Sequence, residues 1–115
     1  MHELAITEEV VRIANEKAQE LGASRVTRIE LHLGALSGIV ADSVAFYFEH
    51  LGKGTLCEAA GLEFIRITAR ARCRNCRGEF EPAEFDWTCP DCDHVGADLL
   101  AGREMAVANI EIEES

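Results

Sequence analysis

Four of the five cysteines in the chain occur in two pairs with the spacing Cys-x-x-Cys. The first pair is Cys73 and Cys76, and the second pair, Cys89 and Cys92, follows after twelve residues. Two such turns bring four thiolates to the corners of a tetrahedron, which is the geometry of a structural Zn²⁺ site. Iron accepts the same set of ligands, so the spacing alone leaves that metal open. A disulfide pair or a redox dithiol would need an oxidising compartment or a thioredoxin-like βαβ context, and the sequence indicates neither.

A second set of candidate ligands, Met1, His2 and Glu3, stands at the start of the sequence. The amine of Met1, the amide nitrogen of residue 2 and Nδ1 of His2 can close fused chelate rings around one metal ion. Coplanar nitrogen donors suit Ni²⁺ or Cu²⁺, with the amide or the carboxylate of Glu3 as a fourth donor. We expect Met1 to be retained, because His2 is too large for methionine removal. On these three residues alone, a chance histidine is the better interpretation.

The elements that must position these ligands follow from hydrophobic periodicity. Apolar residues three or four apart over residues 4–21 predict an amphipathic helix, which Gly22 ends. A period of two predicts a strand over residues 27–33, with His32 on its solvated face. A second helix is predicted after residue 42, with Asp42 or Ser43 as its cap, and Cys57 is predicted to be a buried apolar residue. Two further strands are predicted, over residues 63–72 and 106–113.

These elements predict an α/β (α+β) fold in which two helices pack on a three-stranded mixed sheet. The strand that runs into Cys73 and the strand after Gly102 bracket the cysteines, so the four-cysteine zinc-ribbon lobe is predicted to be an insertion. The predicted domains are residues 1–70 with 100–115, and the inserted residues 71–99. A small apolar cluster is predicted inside the lobe. Its members are Phe80, Pro82, Phe85 and Trp87.

Composition narrows the classes of function. The chain has 115 residues, 21 acidic and 11 basic, and a net charge of −10, which disfavours a phosphate-binding surface and hence a nucleic-acid ligand. The sequence shows no signal peptide and no apolar run long enough to span a membrane, so we expect a cytoplasmic protein with reduced thiols. A zinc enzyme would keep an open coordination position, whereas four cysteines close the site. We therefore expect a protein without catalytic residues.

Four short motifs together resemble one known family. Met1-His2-Glu3-Leu4 opens the first helix, a Gly-Ala-Leu-Ser-Gly segment at residues 34–38 follows the first strand, residues 69–73 lead into the first cysteine pair, and Gly102-Arg103-Glu104 opens the last strand. In this combination the sequence resembles the HypA/HybF family of hydrogenase-maturation nickel chaperones over the whole chain.

The resemblance implies a nickel site carried by Met1, His2 and Glu3, and a structural zinc held by Cys73, Cys76, Cys89 and Cys92. It implies delivery of Ni²⁺ to the large subunit of [NiFe] hydrogenase together with the GTPase HypB, and in some members a role with urease accessory proteins. A coupling of the two sites through a histidine beside the last knuckle would rest on His94, for which a plain surface role is the better interpretation. The alternative function is a non-catalytic zinc-ribbon module for protein interaction.

Overall fold

A computed structural model describes residues 3–83 and 86–114 of the chain. The chain divides into two compact units. The first unit comprises Met1–His32, Ile39–Ile65 and Ala106–Ser115, and the second comprises Leu33–Gly38 and Arg66–Met105. Neither helix in the described part of the chain combines the length and the hydrophobicity that a membrane span requires.

The first helix of unit 1, α1, spans Glu3–Glu20 and agrees with the predicted amphipathic helix. Val10, Val11, Ala14 and Ala18 of its apolar stripe are buried, whereas Leu4 and Ile13 are exposed. Gly22 follows the helix with a positive φ of 69°. That conformation is readily available to glycine because it has no Cβ. Thr7 is also fully buried, although its side chain is polar. Its hydroxyl donates to the backbone oxygen of Glu3 at 2.6 Å, and this bond satisfies a polar group that would otherwise be costly to bury.

The main sheet has the strand order β2-β1-β6. Its strands are β1 (Ala23–Gly34), β2 (Gly61–Ile67) and β6 (Met105–Glu114). The hydroxyls of Ser24 and Thr27 donate to the backbone oxygens of Glu113 and Glu111, respectively. The partner on β6 moves backward as the residue on β1 moves forward, so the two strands are antiparallel. Strand β2 returns beside β1 after a crossover through the second helix. The predicted class, two helices with a mixed three-stranded sheet and a four-cysteine lobe, is confirmed.

The second helix, α2, spans Ala41–Leu51, and its N-cap residue is Val40 rather than Asp42 or Ser43. The sequence-based assignment of the cap was therefore wrong. The backbone N–H of Val40 donates instead to the Glu3 carboxylate at 3.0 Å. A carboxylate placed near the N-terminus of a helix also interacts favourably with the helix dipole. A residue at the start of α1 thus helps to fix the start of α2.

Unit 2 contains a second three-stranded sheet that the sequence did not indicate, with the order β4-β3-β5. Its strands are β3 (Arg70–Cys73), β4 (Glu79–Phe80) and β5 (Ala97–Ala101). The strand predicted over residues 63–72 is in fact two strands, because the chain leaves one ladder at Ile67 and enters another at Arg70. Strand β5 lies in a stretch for which no strand was predicted. It pairs antiparallel with β3, from Cys73 opposite Ala97 to Arg70 opposite Ala101.

Two strands also bury different residues from those that a strict alternation predicts. In β2, Leu62 and Phe64 are half-buried and Ile65 is exposed. In β6, Val107 is half-buried while Ala106 and Ala108 are exposed, although the predicted alternation from Ile110 onward is correct. The burial pattern shifts by one residue inside each strand. A period of two fixes the face of a residue only while the ladder keeps its register.

Three backbone segments of unit 2 approach one another at Gly34, Ala69 and Gly102. The N–H of Gly34 donates to the oxygen of Glu104 at 2.7 Å, and the N–H of Leu36 donates to the oxygen of Gly102 at 2.6 Å. A Cβ on Gly34 would lie 2.2 Å from the carbonyl carbon of Gly102, and a Cβ on Gly102 would lie 2.8 Å from Cα of Ala69. Gly102 also has a φ of 125°, which L side chains rarely adopt. Only glycine fits at these two positions.

We therefore expect Gly34→Ala and Gly102→Ala each to lower the free energy of unfolding by at least about 2 kcal/mol, because backbone atoms have to move. The measurement is equilibrium unfolding in urea. Gly61→Ala is the matched control, since the nearest atom to its added Cβ is 4.0 Å away, and we expect it to change stability by less than about 0.5 kcal/mol. Equal effects of the three substitutions would contradict the close crossing.

Candidate metal centre

The four paired cysteines of unit 2 meet at one point. Their Sγ atoms all lie within 4.8 Å of one another. The Sγ atoms of Cys73 and Cys92 are 3.6 Å apart, and those of Cys76 and Cys89 are 3.7 Å apart. A tetrahedron with zinc–sulfur bonds of about 2.3 Å has edges of about 3.8 Å, whereas a disulfide would bring two sulfurs to about 2.05 Å. The geometry fits a tetrahedral metal ion, and all five cysteines are free thiols.

The two Cys-x-x-Cys turns have the same backbone structure. In the first turn the N–H of Cys73 donates to the oxygen of Gly78 at 2.9 Å, and the N–H of Arg77 donates to the oxygen of Cys73 at 3.0 Å. In the second turn Cys89 donates to the oxygen of His94 at 2.9 Å, and Asp93 donates back to Cys89 at 3.0 Å.

Each turn is closed by a residue in the left-handed region. Arg77 has a φ of 66° and Asp93 a φ of 61°. This conformation reverses the chain immediately after the second cysteine of each pair, so that both sulfurs of the pair face the same point. The site is therefore built from two equivalent half-sites.

Nitrogen donors of the first turn point at the sulfurs. The backbone N–H groups of Asn75 and Gly78 donate to Sγ of Cys73 at 3.3 Å and to Sγ of Cys76 at 3.4 Å, respectively. The side-chain amide of Asn75 donates to Sγ of Cys92 at 3.6 Å and links the two turns. Such bonds stabilise the thiolate form, which is the form that binds a metal.

The pKa values of two thiols reflect these surroundings. A hydrogen bond from the backbone N–H of His94, aided by the amide of Asn75, lowers the pKa of Cys92 to about 6. The N–H of Gly78 acts in the same direction on Cys76, but the neighbouring sulfurs outweigh it and the pKa of Cys76 rises to about 12. Four close thiolates repel one another, which favours protonation of some of them. A divalent cation displaces these protons, and its positive charge offsets the repulsion.

The sulfurs sit at the edge of a small apolar cluster. Cys73 and Cys89 are buried with Ala71 and Phe80, and Trp87 packs against this group. Of the other residues predicted for the cluster, Pro82 is buried and Phe85 lies outside the described residues. Two of the four metal ligands are thus also members of the hydrophobic core of unit 2.

The predicted nickel ligands are only partly described. Met1 and His2 lie outside the described residues. Glu3 is the first residue of α1, and its carboxylate accepts the N–H of Val40.

The structure also describes the other three residues that the sequence singled out, His32, Cys57 and His94. His32 is half-buried and its Nε2 is 3.2 Å from a carboxylate oxygen of Glu30. Cys57 is fully buried, and its burial raises the pKa of its thiol. His94 is exposed.

With the geometry in place, the chain can be compared with known proteins. The family model for hydrogenase/urease nickel incorporation, metallochaperone, hypA matches residues 1–112. The chain belongs to the HypA family. Hydrogenase maturation factor HypA of Dehalococcoides mccartyi strain CBDB1 is 41% identical to it over 114 residues, with 99% of this chain and 96% of the relative aligned. The corresponding HypA of Geotalea uraniireducens strain Rf4 is 40% identical over 113 residues, covering 98% and 100%.

Solved HypA structures share the fold. The solution structure of the Ni metallochaperone HypA from Helicobacter pylori superposes with a TM-score of 0.72 at 22% identity, over 100% of both chains. A second solution structure of a HypA protein has a TM-score of 0.76 at 21% identity and covers 100% of this chain and 98% of the other. The resemblance to the HypA/HybF family that the motifs indicated is confirmed.

Sequence reasoning found the four sulfurs but missed the groups that orient them. The donors are the backbone N–H groups of Asn75, Gly78 and His94 and the side-chain amide of Asn75. One signal was present in the sequence, because Gly78 and His94 each stand two residues after the second cysteine of a pair. Backbone donors at equal offsets are what a repeated turn provides.

We expect purified protein to hold about one zinc ion per chain, and Cys76→Ser or Cys89→Ser to reduce that stoichiometry to well below one, because each removes one of four ligands. The measurement is elemental analysis of a reduced preparation, combined with loss of ordered NMR signals from the cysteine turns. Cys57→Ala is the matched control, since Cys57 is the cysteine outside the cluster, and it should keep its metal. A preparation without zinc or iron would contradict the site.

Proposed function

We propose that this protein is a nickel metallochaperone of hydrogenase maturation, which takes up Ni²⁺ reversibly and passes it to an acceptor protein. The observation that carries the proposal is the Met1-His2-Glu3 start on a chain whose residues 1–112 match the HypA family. A cargo site must release its metal, so a site made of a few terminal donors suits this function better than the closed four-sulfur site.

We assign nickel binding to the amine of Met1, the amide nitrogen and imidazole of His2, and a donor from Glu3. The structure favours the backbone nitrogen of Glu3 over its carboxylate, because a carboxylate oxygen already accepts the N–H of Val40 at 3.0 Å. Nitrogen donors arranged in one plane suit Ni²⁺. The same hydrogen bond ties the start of α1 at Glu3 to the start of α2.

The four-cysteine site differs from the proposed nickel site in being closed. Four protein ligands complete a tetrahedron and leave no position for substrate, which is typical of a structural metal and not of a catalytic one. We therefore propose that the metal is zinc with a purely structural role and that the protein is not an enzyme. The division into a nickel-binding domain of residues 1–70 with 100–115 and a zinc-binding domain of residues 71–99 remains a prediction.

The proposed partners are a HypB-type nickel GTPase and the hydrogenase large subunit, with urease accessory proteins as a second class of acceptor, all in the cytoplasm. Nucleic acid is disfavoured as a partner, because the exposed arginines of β3 and the arginine that follows the strand are already paired. Arg70 and Arg72 contact Glu79 at 2.8 and 3.2 Å, and Arg74 contacts Asp98 at 2.9 Å. These ion pairs reduce the positive charge that phosphate recognition requires.

His2→Ala tests the imidazole, and one residue fused ahead of Met1 tests the free amine. We expect each change to weaken nickel binding by more than about tenfold, or about 1.4 kcal/mol, because each removes one chelating nitrogen. The measurement is a calorimetric Ni²⁺ titration of protein that begins at Met1. His50→Ala is the matched control, since His50 is exposed at the end of α2, and we expect no change in nickel affinity.

Zinc content measured in the same samples separates the two sites. Both N-terminal changes should leave the zinc count at the wild-type value, because the sulfur site is closed. Wild-type nickel affinity in His2→Ala would overturn the N-terminal site and would favour the zinc-ribbon interaction module. Nickel binding that survives in the extended chain but not in His2→Ala would point to a site made of side chains.

Nickel affinity should fall as the solution is acidified from about pH 8 to about pH 5.5, because protons compete for the imidazole and the amine. An unperturbed histidine titrates near pH 6.5 and an α-amine near pH 7.7 to 8.0, so both donors lose the metal-binding form on the acid side of this range. Titrations at several pH values measure the trend. A flat profile would contradict imidazole coordination.

A further inference from the structure

Strand β6 is an edge of the main sheet among the described residues, since the strand order is β2-β1-β6. The backbone oxygens of Glu111 and Glu113 face β1, because hydroxyls of β1 donate to them at 3.1 and 2.9 Å. Backbone groups alternate in direction along a strand, so the N–H and C=O groups of Ile110 and Ile112 point away from the sheet. These outward groups can pair with another extended chain.

An apolar groove runs between this edge strand and α1 within unit 1. Its volume is about 410 Å³. The groove is lined by Ile13, Ala14 and Lys17 of α1, by Leu21 directly after the helix, and by residues 107–110 of β6. Ile13 is 38% exposed and Leu21 is 53% exposed, so the helix presents apolar surface beyond the strands that it covers. A fourth strand beside β6 would extend the sheet and place alternate side chains in this groove.

The edge lacks the features that usually prevent pairing with another chain. Strand β6 has ten residues and contains neither proline nor lysine. Two of its three charged residues, Glu111 and Glu113, lie on the other face of the sheet, where they form ion pairs with Arg28 and Arg25 at 2.6 Å. Natural edge strands are normally protected by short length, proline or charge. Strand β6 is long, and two of its charges are partly neutralised.

The charges around the groove select the kind of chain that fits. Lys17 lines the groove, and its charge is balanced by Glu20 at 3.7 Å. The other charged groups near the groove are mostly acidic, since Glu16 and Glu20 flank Lys17 in α1 and β6 ends in Glu114. A second copy of this chain would bring its own net charge of −10 to the same place. Like charges oppose such pairing, and a basic segment is favoured.

We propose that β6 and the groove bind an extended segment of a partner protein, in which apolar residues alternate with lysine or arginine. The segment adds to the sheet as a fourth strand beside β6. Its apolar side chains enter the groove against Ile13 and Leu21, and its basic side chains lie on the opposite face, near Glu111 and Glu113. This surface uses none of the nickel ligands or sulfur ligands assigned above, so it can be tested independently of the proposed function.

The probe is a capped synthetic octapeptide of alternating lysine and valine, added to the full-length ¹⁵N-labelled protein. We expect chemical-shift changes along β6 and in α1 near Leu21, and slower hydrogen exchange of the Ile110 and Ile112 amides, since these become hydrogen-bonded. The same peptide with glutamate in place of lysine should bind at least about tenfold more weakly, by charge. A peptide N-methylated at alternate residues should also bind more weakly, because it cannot complete the ladder.

Two variants of the protein locate the site. Leu21→Glu should weaken binding of the lysine–valine peptide by at least about fivefold, because it places a charge at the apolar groove, and it should not unfold the chain because Leu21 is exposed. Ile65→Glu is the matched control, since Ile65 is an exposed isoleucine on the other edge strand, and it should bind the peptide as the wild type does.

Three results would overturn the proposal. The first is peptide binding that maps to β2 or to unit 2, or that Ile65→Glu weakens as much as Leu21→Glu. The second is equal binding of the lysine and glutamate peptides, or no binding of either. The third is self-association of the free protein that Leu21→Glu abolishes, as measured by sedimentation, because the groove would then be occupied by a second copy of the chain.

Discussion

The convergence of four sulfur atoms within 4.8 Å is the constraint on which unit 2 depends. Among the described residues of that unit, the buried cluster around the sulfurs consists of Ala71, Cys73, Phe80 and Cys89, and half of these residues are ligands. So small a core cannot offset the conformational entropy of the chain around it by hydrophobic burial alone. Metal coordination and core packing therefore stabilise the same residues, and loss of the metal removes both contributions together.

The sequence predicted those parts of the fold that depend on local periodicity. Helix α1 and the inward face of β1 from Ile29 onward agree with the pattern, because one face of each element is buried along a continuous run. The break between β2 and β3, and the existence of β5, could not be predicted in this way. They depend on pairing with strands that are distant in sequence, and on the close approach of Gly34 to Gly102, which are 68 positions apart in the sequence.

The two candidate sites could be predicted from the sequence to different extents. The sulfur site was predictable because a Cys-x-x-Cys turn carries its geometry with it, and the structure brings the four sulfurs together. The N-terminal set gave no such signal in three residues, and its support came from resemblance to a family. The role of Glu3 at the start of α2 could not be inferred from sequence either, because the carboxylate and Val40 are 37 residues apart.

The unequal exposure of the four sulfurs has a chemical consequence. In each turn the first cysteine, Cys73 or Cys89, is buried, whereas Cys76 is exposed and Cys92 is half-buried. Oxidants and alkylating reagents attack the accessible thiolates first. Damage therefore begins with the outer pair, Cys76 and Cys92, so that one ligand from each half-site is lost before the other two are reached. The buried pair, Cys73 and Cys89, leaves one protected ligand in each half-site.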